Sequence, residues 1–177
     1  PFDEPMVMAG QGTCGLEIAA QAAEADVSEA DVIICAGGGG LLSGIALALE
    51  AEAPGLRPRP AEPKGFDDTA RSLISGQREQ ITGNEKSICD AIVSPMPGAL
   101  TFPVNKRLCG PGLVVTDDEA RRAMAAAWKH LKIVAEPGGA VALAAILFHP
   151  DTIEGDAVIG TVSGGNADPE MFASAIN

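Results

Sequence analysis

The sequence predicts an α/β fold whose sheet is at least partly parallel. Apolar runs of the kind that form buried strands alternate with Ala-rich segments of helical composition. Over residues 31–53 a strand-like run, a glycine-rich turn and a helix-like segment follow one another, which is the order of a βαβ unit. The chain has 177 residues, which is enough for one domain with its own hydrophobic core.

In the first half of the chain, local pattern predicts four elements. Residues 16–25 are rich in alanine and predict a helix, and residues 31–36 form an apolar run that predicts a buried strand. Residues 41–53 have helical composition and end at a Pro-Gly pair. The next strand is expected over residues 57–63, but its three prolines each remove a backbone donor, so we expect an edge strand or a distorted one.

The second half begins with a segment rich in proline and glycine, residues 76–112, which predicts loops. Beyond it we expect a strand over 113–115 and then a helix that opens with a capping box at 116–119 and reaches about residue 131. A helix ending near residue 148, a strand over 156–161 and a terminal helix from Pro169 are expected to follow. No internal repeat or linker interrupts this alternation, so one domain is expected.

The charge of the chain argues against two classes of partner. Twelve Lys and Arg residues stand against 24 Asp and Glu residues, a net charge of −12. Nucleic acids and anionic membrane surfaces are bound through basic patches, so neither is an expected partner. The four cysteines lie far apart and form no CxxC pair, which is typical of reduced thiols. The cytoplasm is therefore the expected location.

Four consecutive glycines, residues 37–40, separate the strand-like run from the next helix. Because glycine costs backbone entropy, such a run needs a reason. A loop without Cβ atoms can wrap a phosphate and present N–H groups at the positive end of the following helix. The loop lacks the Gly-Lys-Ser/Thr of a Walker A motif and the spacing of the dinucleotide-binding motif. The two interpretations are an anion cradle and a tight turn for helix–strand packing.

Further polar groups follow other predicted strands, at the edge where α/β proteins bind ligands. Ser163 opens a Ser-Gly-Gly-Asn segment, where its hydroxyl can bond a ring nitrogen or cap a turn. Glu136 precedes Pro-Gly-Gly and is either a site residue or a solvated carboxylate at a helix start. Glu62, Asp67 and Asp68 offer oxygens to a hard cation, or they serve as the cap and first turn of a helix.

Taken together, these segments resemble the fold-type-II pyridoxal-phosphate enzymes, and within them the threonine/serine dehydratase (ammonia-lyase) and serine racemase family. The matching strings are PFDEP (1–5), GQGT (10–13), AGGGGL (36–41), EP (62–63), DA (90–91), LTFPVN (100–105), AEPGGA (135–140) and SGGN (163–166). They run in order along essentially the whole chain, and the combination is far more specific than any one motif.

The resemblance implies a fold and a set of site residues. The fold is the large domain of these enzymes, a three-layer sandwich around a mostly parallel sheet, incomplete in this chain. The residues that match the cofactor site are Gly37, Gly38, Gly39, Gly40, Leu41, Ala91, Glu136 and Ser163. Among them the glycines and Leu41 match the phosphate cradle, and Ser163 matches the partner of the pyridine nitrogen. Glu62, the carbonyl of Phe66, and Asp68 match a site for Mg²⁺ or Ca²⁺.

One part of the family pattern is absent from the sequence. The family binds its cofactor as a Schiff base on a lysine in a Ser/Phe-Lys-x-Arg-Gly context, and none of the five lysines here has that context. We therefore expect residues 1–177 to be the carboxy-terminal part of the large catalytic domain, with the small domain and the lysine segment absent and no catalytic residue in this chain. The Arg-Pro-Arg-Pro run before Glu62 also departs from the apolar strand usual in the family.

For the full-length protein the resemblance implies a lyase that removes the β-hydroxyl of L-threonine or L-serine and yields a 2-oxo acid and ammonia. The alternatives in the same class are a racemase of serine or aspartate and a hydroxyaspartate dehydratase. The isolated chain is expected to be inactive, a noncatalytic phosphate-binding module. The expected partners are a small hydroxy-amino acid, the missing amino-terminal half of the same protein, and a second copy in a homodimer.

Overall fold

The computed structural model describes residues 2–177 and contains a four-stranded sheet flanked by helices. The strands are β1 (Ala30–Cys35), β2 (Leu56–Pro63), β3 (Leu113–Val115) and β4 (Val158–Gly160), and the helices are α1 (Pro5–Glu24), α2 (Gly40–Glu52), α3 (Asp68–Ser75), α4 (Thr101–Leu108), α5 (Asp117–Ala126), α6 (Val141–Phe148) and α7 (Pro169–Ile176). The strand order is β3-β2-β1-β4, and each neighbouring pair is parallel. The predicted α/β class and parallel sheet are confirmed.

Alternate side chains of the central strand β1 belong to two separate cores. Val32 and Ile34 pack with α1 and α2 on one face, whereas Ile33 and Cys35 pack with α5, α6 and α7 on the other. All four side chains are buried, which explains why this strand is a continuous apolar run. Full burial of an Ile or Val side chain contributes about 1.5–3 kcal/mol. Helices on both faces make the three-layer sandwich that the resemblance implies.

The first helix begins well before the Ala-rich segment that predicted it. Pro5 occupies the first turn, where its missing N–H costs no hydrogen bond. A Cβ on Gly15 would lie 2.7 Å from the Ala48 Cβ, and a Cβ on Gly44 would lie 2.5 Å from the carbonyl oxygen of Met8. These glycines therefore let α1 and α2 pack with their backbones in contact. Gly10, Gly12 and Gly15 lower the helix propensity of the first half of α1, which is why the local pattern predicts a helix that is too short.

Strand β2 lies between β1 and β3 in the sheet, so the expectation of an edge or distorted strand over residues 57–63 was wrong for residues 61–63, which pair with β3. Residues 57–60 have a strand neighbour on the β1 side only, as an edge strand does. Backbone groups of successive residues in a strand point to opposite neighbours. The carbonyl of Ala61 accepts from the N–H of Ala36, so odd-numbered residues face β1. The carbonyl of Pro58 accepts from the N–H of Gly110, so even-numbered residues face β3 and the loop before it.

This alternation explains how an interior strand accommodates its prolines. At Pro58 and Pro60 the backbone nitrogen, which carries no hydrogen, points toward the β3 side, but β3 pairs with β2 only from Ala61 onward. At Pro63 the backbone nitrogen points toward β1, but the pairing of β1 with β2 ends at Cys35, opposite Ala61. Each proline therefore lies where no strand offers a ladder acceptor, and the strand loses no ladder hydrogen bond.

The amino edge of the sheet is held by an ion-pair network. The Asp31 carboxylate accepts from Arg57 Nε at 2.7 Å and from Arg59 Nη1 at 2.6 Å. Arg59 also donates to the carbonyls of Pro111 at 2.8 Å and Thr152 at 2.6 Å. Asp31 and Arg59 are both buried, and a buried charge requires such partners. The unusual Arg-Pro-Arg-Pro run thus ties β2 to β1 and to two loops.

From residue 113 onward the chain follows the predicted order of elements. The prediction of loops over residues 76–112 was wrong in part, because this segment contains α4 (Thr101–Leu108), whose start is bound by the distant Asp3 carboxylate. The capping box is present, because Thr116 Oγ1 accepts from the Glu119 N–H at 3.2 Å and Glu119 Oε2 accepts from the Thr116 N–H at 2.7 Å. A single π-helical turn, Ala127–Leu131, carries the helical backbone to the predicted end. β4 is shorter than the predicted strand, and α7 begins at Pro169 as predicted. Within residues 2–177, no helix is both long and apolar enough to cross a membrane.

Candidate functional site

The glycine loop, residues 37–40, lies at the carboxyl end of β1 and leads into α2, whose first turn contains Leu41. Gly39 is the N-cap of that helix and has a φ of +94°, in the left-handed region that favours glycine. A Cβ on Gly39 would lie 2.7 Å from Asn105 Nδ2 and 2.9 Å from Thr101 Oγ1. The loop therefore requires glycine at this position both for its backbone conformation and for the close approach of α4.

In the glycine loop, carbonyl groups accept hydrogen bonds, whereas N–H groups lack acceptors among the described residues. The Gly38 carbonyl accepts from the Gly98 N–H at 3.1 Å and from Thr101 Oγ1 at 2.8 Å, and the Gly39 carbonyl accepts from the Ser43 N–H at 2.9 Å. Among the residues that the structure describes, no acceptor binds the N–H groups of the first three glycines. Free N–H groups at the start of a helix, with the carbonyls bound behind them, are the arrangement that binds an anion.

Ala91 and its neighbours form one wall beside this loop. Ala91 lies in a single 3₁₀ turn, Asp90–Ile92, and is exposed. A Cβ on Gly37 would lie 3.0 Å from the carbonyl oxygen of Ile92, and a Cβ on Gly138 would lie 3.3 Å from the Ala91 Cβ. The turn is thus packed between the glycine loop and Gly138.

Ser163 and Glu136 lie at the same edge of the sheet. The N–H of Glu136 donates to the Gly164 carbonyl at 2.9 Å, and the N–H of Ser163 donates to the Gly139 carbonyl at 3.3 Å. The thiol of Cys35, the last residue of β1, donates to the same Gly139 carbonyl at 3.5 Å. Ser163 is exposed and Glu136 is half-buried. The structure therefore brings every predicted cofactor residue to the carboxyl end of β1, and their binding to a cofactor stays a prediction.

The cysteine thiols do not provide a nucleophile at the carboxyl edge of the sheet. Burial raises the pKa of Cys89 and Cys109 to about 12 and also raises the pKa of Cys14 and Cys35. The thiolate is the nucleophilic form of cysteine, and these groups stay protonated at neutral pH. Nucleophilic cysteine chemistry is therefore not supported.

The predicted cation residues lie at the carboxyl end of the neighbouring strand, β2. Both oxygens of the buried Glu62 carboxylate accept backbone hydrogen bonds, from Thr69 at 2.9 Å and Ala70 at 2.7 Å. Burial raises the pKa of Glu62 to about 8, and the nearby charge of Asp68 adds to this. Burial also raises the pKa of Asp68 to about 7, and its Oδ2 has no hydrogen-bond partner among the described residues. Phe66 lies in the turn between the two carboxylates, with its N–H donating to the Pro63 carbonyl at 2.9 Å.

This arrangement supports both interpretations of the acidic cluster. Glu62 binds the first turn of α3, which supports the helix-start interpretation, whereas the N-cap residue Asp67 makes no side-chain capping hydrogen bond. Two adjacent buried carboxylates with raised pKa values would also be stabilised by a cation. Within residues 2–177, there is no group of three or more His, Cys, Asp or Glu side chains that could hold a metal ion. Cation binding through Glu62, Phe66 and Asp68 therefore stays a prediction.

Sequence reasoning did not single out the polar residues behind the glycine loop. Asp3 accepts from the N–H groups of Ala99, Leu100 and Thr101, at 2.8, 2.8 and 3.1 Å, and so binds the start of α4. Burial alone would raise the pKa of Asp3, but these backbone hydrogen bonds lower it. Thr101 and Asn105 are one helical turn apart. This spacing of two polar residues in a short helix is the sequence feature that could have identified them.

Comparison with known proteins identifies the family. Residues 1–165 match the family described as pyridoxal-phosphate dependent enzyme. The chain is 39% identical to the serine racemase of Dictyostelium discoideum, covering 100% of this chain and 54% of that protein. It is 38% identical to the beta-hydroxyaspartate dehydratase of Paracoccus denitrificans (strain Pd 1222), covering 95% of this chain and 51% of that protein.

Comparison with a solved structure supports the same family. The crystal structure of the T.th. threonine deaminase superposes with a TM-score of 0.89 at 36% identity, covering 95% of this chain and 56% of that one. The chain thus spans about half the length of the relatives that it matches. The match over most of the chain, together with the glycine loop at the carboxyl end of β1, leads to one conclusion: this chain belongs to the family of pyridoxal-phosphate dependent enzymes.

Proposed function

We propose that the full-length protein containing this chain is an ammonia-lyase that acts on L-threonine or L-serine. The observation that carries this proposal is the glycine loop, whose N–H groups have no acceptor among the described residues and lie at the same sheet edge as Ser163. When bound there, pyridoxal phosphate supplies an electron-withdrawing ring that stabilises negative charge on the α-carbon of an amino acid. Loss of the α-proton and the β-hydroxyl, followed by hydrolysis, yields a 2-oxo acid and ammonia.

In this proposal the chain holds and orients the cofactor. The N–H groups of residues 37–41 and the positive end of α2 bind the phosphate. The hydroxyl of Ser163 faces the ring nitrogen and, being neutral, does not hold that nitrogen protonated as a carboxylate would. A ring tuned in this way withdraws electrons less strongly, which suits β-elimination better than transamination.

The reactive lysine must come from another part of the protein. All five lysines of the chain are exposed, and two of them donate to surface carbonyls, Lys106 to Gly76 and Lys132 to Lys129, each at 2.8 Å. None lies in the sequence context that binds the cofactor in the family. We propose that the other half of the full-length protein supplies this lysine and the base for the α-proton. The isolated chain would then bind an anion without catalysis.

We also propose that Glu62, Asp68 and the Phe66 carbonyl bind Mg²⁺ or Ca²⁺. The unpaired Asp68 Oδ2 and the raised pKa values of both carboxylates support this, because a cation would balance two charges that burial makes unfavourable. Such an ion would stabilise the connection between β2 and α3 rather than act on the substrate.

The test is an activity assay on the full-length protein with pyridoxal phosphate. We expect 2-oxobutanoate from L-threonine and pyruvate from L-serine, each with one equivalent of ammonia. Replacement of Ser163 by alanine should lower turnover, whereas replacement of the exposed Lys129 by alanine should leave it unchanged. Absence of a 2-oxo acid from both substrates would refute the proposal.

The similar proteins favour a second candidate in the same chemical class. One is named a serine racemase and another a beta-hydroxyaspartate dehydratase, at nearly equal identity. Racemisation also removes the α-proton but returns one to the opposite face. Formation of D-serine from L-serine without pyruvate would favour a racemase, and ammonia release from hydroxyaspartate alone would favour that dehydratase.

A further inference from the structure

Asn105 is a buried amide that lacks hydrogen-bond partners. Its side chain is fully buried in α4, and neither Nδ2 nor Oδ1 has a partner among the described residues. A buried amide without partners destabilises the fold, whereas an apolar side chain of similar size would not. Residues that break such a rule are concentrated at functional sites.

The position of Asn105 points to the glycine loop. Asn105 Nδ2 lies 2.7 Å from the place that a Cβ on Gly39 would occupy. Thr101, one turn earlier in α4, already donates its hydroxyl to the Gly38 carbonyl at 2.8 Å. The two side chains therefore approach the same loop from behind, and only Thr101 has used its donor.

Helix α4 is a firm support for these two side chains. Its first turn is bound by the Asp3 carboxylate, and the Gly98 N–H just before it donates to the Gly38 carbonyl at 3.1 Å. Near its other end Lys106 Nζ donates to the Gly76 carbonyl at 2.8 Å. The helix is thus tied to the loop and to α3, so the amide of Asn105 is held in place.

We propose that Asn105 is a positioning residue for the phosphate loop, donating a hydrogen bond to the loop from behind when an anion is bound in front. In a planar peptide unit the N–H and C=O point in opposite directions. When the N–H groups of the loop turn toward a phosphate, the carbonyls of the same peptide units turn the other way, toward α4. The Gly38 and Gly39 carbonyls already accept hydrogen bonds, whereas the Gly37 carbonyl accepts none from the described residues and still requires a donor. Asn105 has the free donor at that place. This inference rests on the proposed binding of pyridoxal phosphate.

The test compares two cofactor forms on the full-length protein and its Asn105→Leu variant. The dissociation constants of pyridoxal phosphate and of pyridoxal, which lacks the phosphate, are measured by equilibrium dialysis on apo-protein. We expect Asn105→Leu to weaken pyridoxal phosphate binding about tenfold, the loss of one good hydrogen bond, and to change pyridoxal binding less than about twofold. The melting temperature of the apo-variant should equal or exceed that of the wild type.

The matched control is Phe102→Leu, which alters buried apolar packing in the same helix without changing a polar group. It should lower the melting temperature and leave the ratio of the two affinities unchanged. Equal weakening of both cofactor forms by Asn105→Leu, no weakening at all, or failure of that variant to fold would each overturn the inference. If the wild type itself binds both forms equally, the phosphate cradle of the proposed function fails, and the role of Asn105 fails with it.

Discussion

The two edges of the parallel sheet use polar groups in opposite ways. At the amino edge the Asp31 carboxylate binds Arg57 and Arg59 and accepts a further hydrogen bond from the Glu154 N–H at 3.1 Å. At the carboxyl edge the N–H groups of the glycine loop are free among the described residues, and buried polar atoms of Asn105 and Asp68 have no partner. At the amino edge the Asp31 charge is satisfied within the chain, although Arg57 Nη2 has no partner among the described residues. At the carboxyl edge both backbone and side-chain groups have hydrogen-bonding capacity left for a ligand.

This contrast separates stability from function along the same four strands. Ligands of open α/β sheets bind at the carboxyl ends of the strands, because loops and helix N-termini converge there. The unsatisfied groups found at that edge therefore fit a binding site, whereas the amino edge can be optimised for stability alone. Substitutions at the two edges should accordingly have different consequences.

The largest expected effect is at the amino edge. Asp31→Ala would leave the buried Arg59 without its carboxylate, and removal of one partner of a buried pair costs about 3–5 kcal/mol in free energy of unfolding. Urea denaturation of the full-length protein measures this loss. Glu154→Ala is the control, because the Glu154 side chain is 74% exposed and its pair with Arg57 is worth less than about 1 kcal/mol.

The pH dependence of this network provides a second readout. Burial alone would raise the pKa of Asp31, but hydrogen bonds from Arg57 and Arg59 outweigh it and lower the pKa below its ordinary value. A carboxylate with a lowered pKa in the folded state stabilises the protein above its unfolded pKa and loses that contribution as the pH falls through the folded value. The difference in stability between wild type and Asp31→Ala should therefore shrink below about pH 4. A difference that stays constant down to about pH 2 would contradict the network.

A smaller change in the free energy of unfolding is expected when a cation binds at the carboxyl edge. Mg²⁺ or Ca²⁺ at about 100 times its dissociation constant should add about 2.7 kcal/mol to the free energy of unfolding, and chelation should remove this gain. Asp68→Asn should abolish the response. Asp67→Asn should keep it, because Asp67 only pairs with Arg71 at 3.6 Å on the surface of α3. An equal response in both variants would exclude Asp68 as a ligand.

The smallest expected change in stability comes from the glycine loop, where the main loss is in binding. Gly39→Ala places a Cβ at a φ of +94° and against α4, which costs about 1–3 kcal/mol of strain and displaces the N–H groups of the loop. Pyridoxal phosphate affinity should fall at least about tenfold by dialysis. Gly10→Ala is the control, because a Cβ there meets nothing within 4 Å and should stabilise α1 by about 0.5–1 kcal/mol. Unchanged affinity in Gly39→Ala would contradict the proposed cradle.

Local chemistry made much of this edge predictable. Four glycines between a strand and a helix, the capping box at Thr116 and Glu119, and the Ser163 and Glu136 segments were all recognised from short strings. The LTFPVN segment was matched in the same way, but Asn105 was not singled out within it, because an asparagine in a short helix is ordinary until its burial is known. Likewise Glu62 was considered as a cation ligand, and only the structure showed that it binds the first turn of α3.

The sequence by itself determined the α/β class, the order of most elements and the glycine loop, since these follow from apolar runs, caps and conformational freedom within a few residues. The tertiary structure alone decided the extent of α1, the interior place of β2 and the gathering of the site residues at the carboxyl end of β1. Gly15 in α1 is explained only by the proximity of α2, and the prolines of β2 only by the short length of β3 and the end of β1. Such contacts join residues far apart in the chain, and no local pattern carries them.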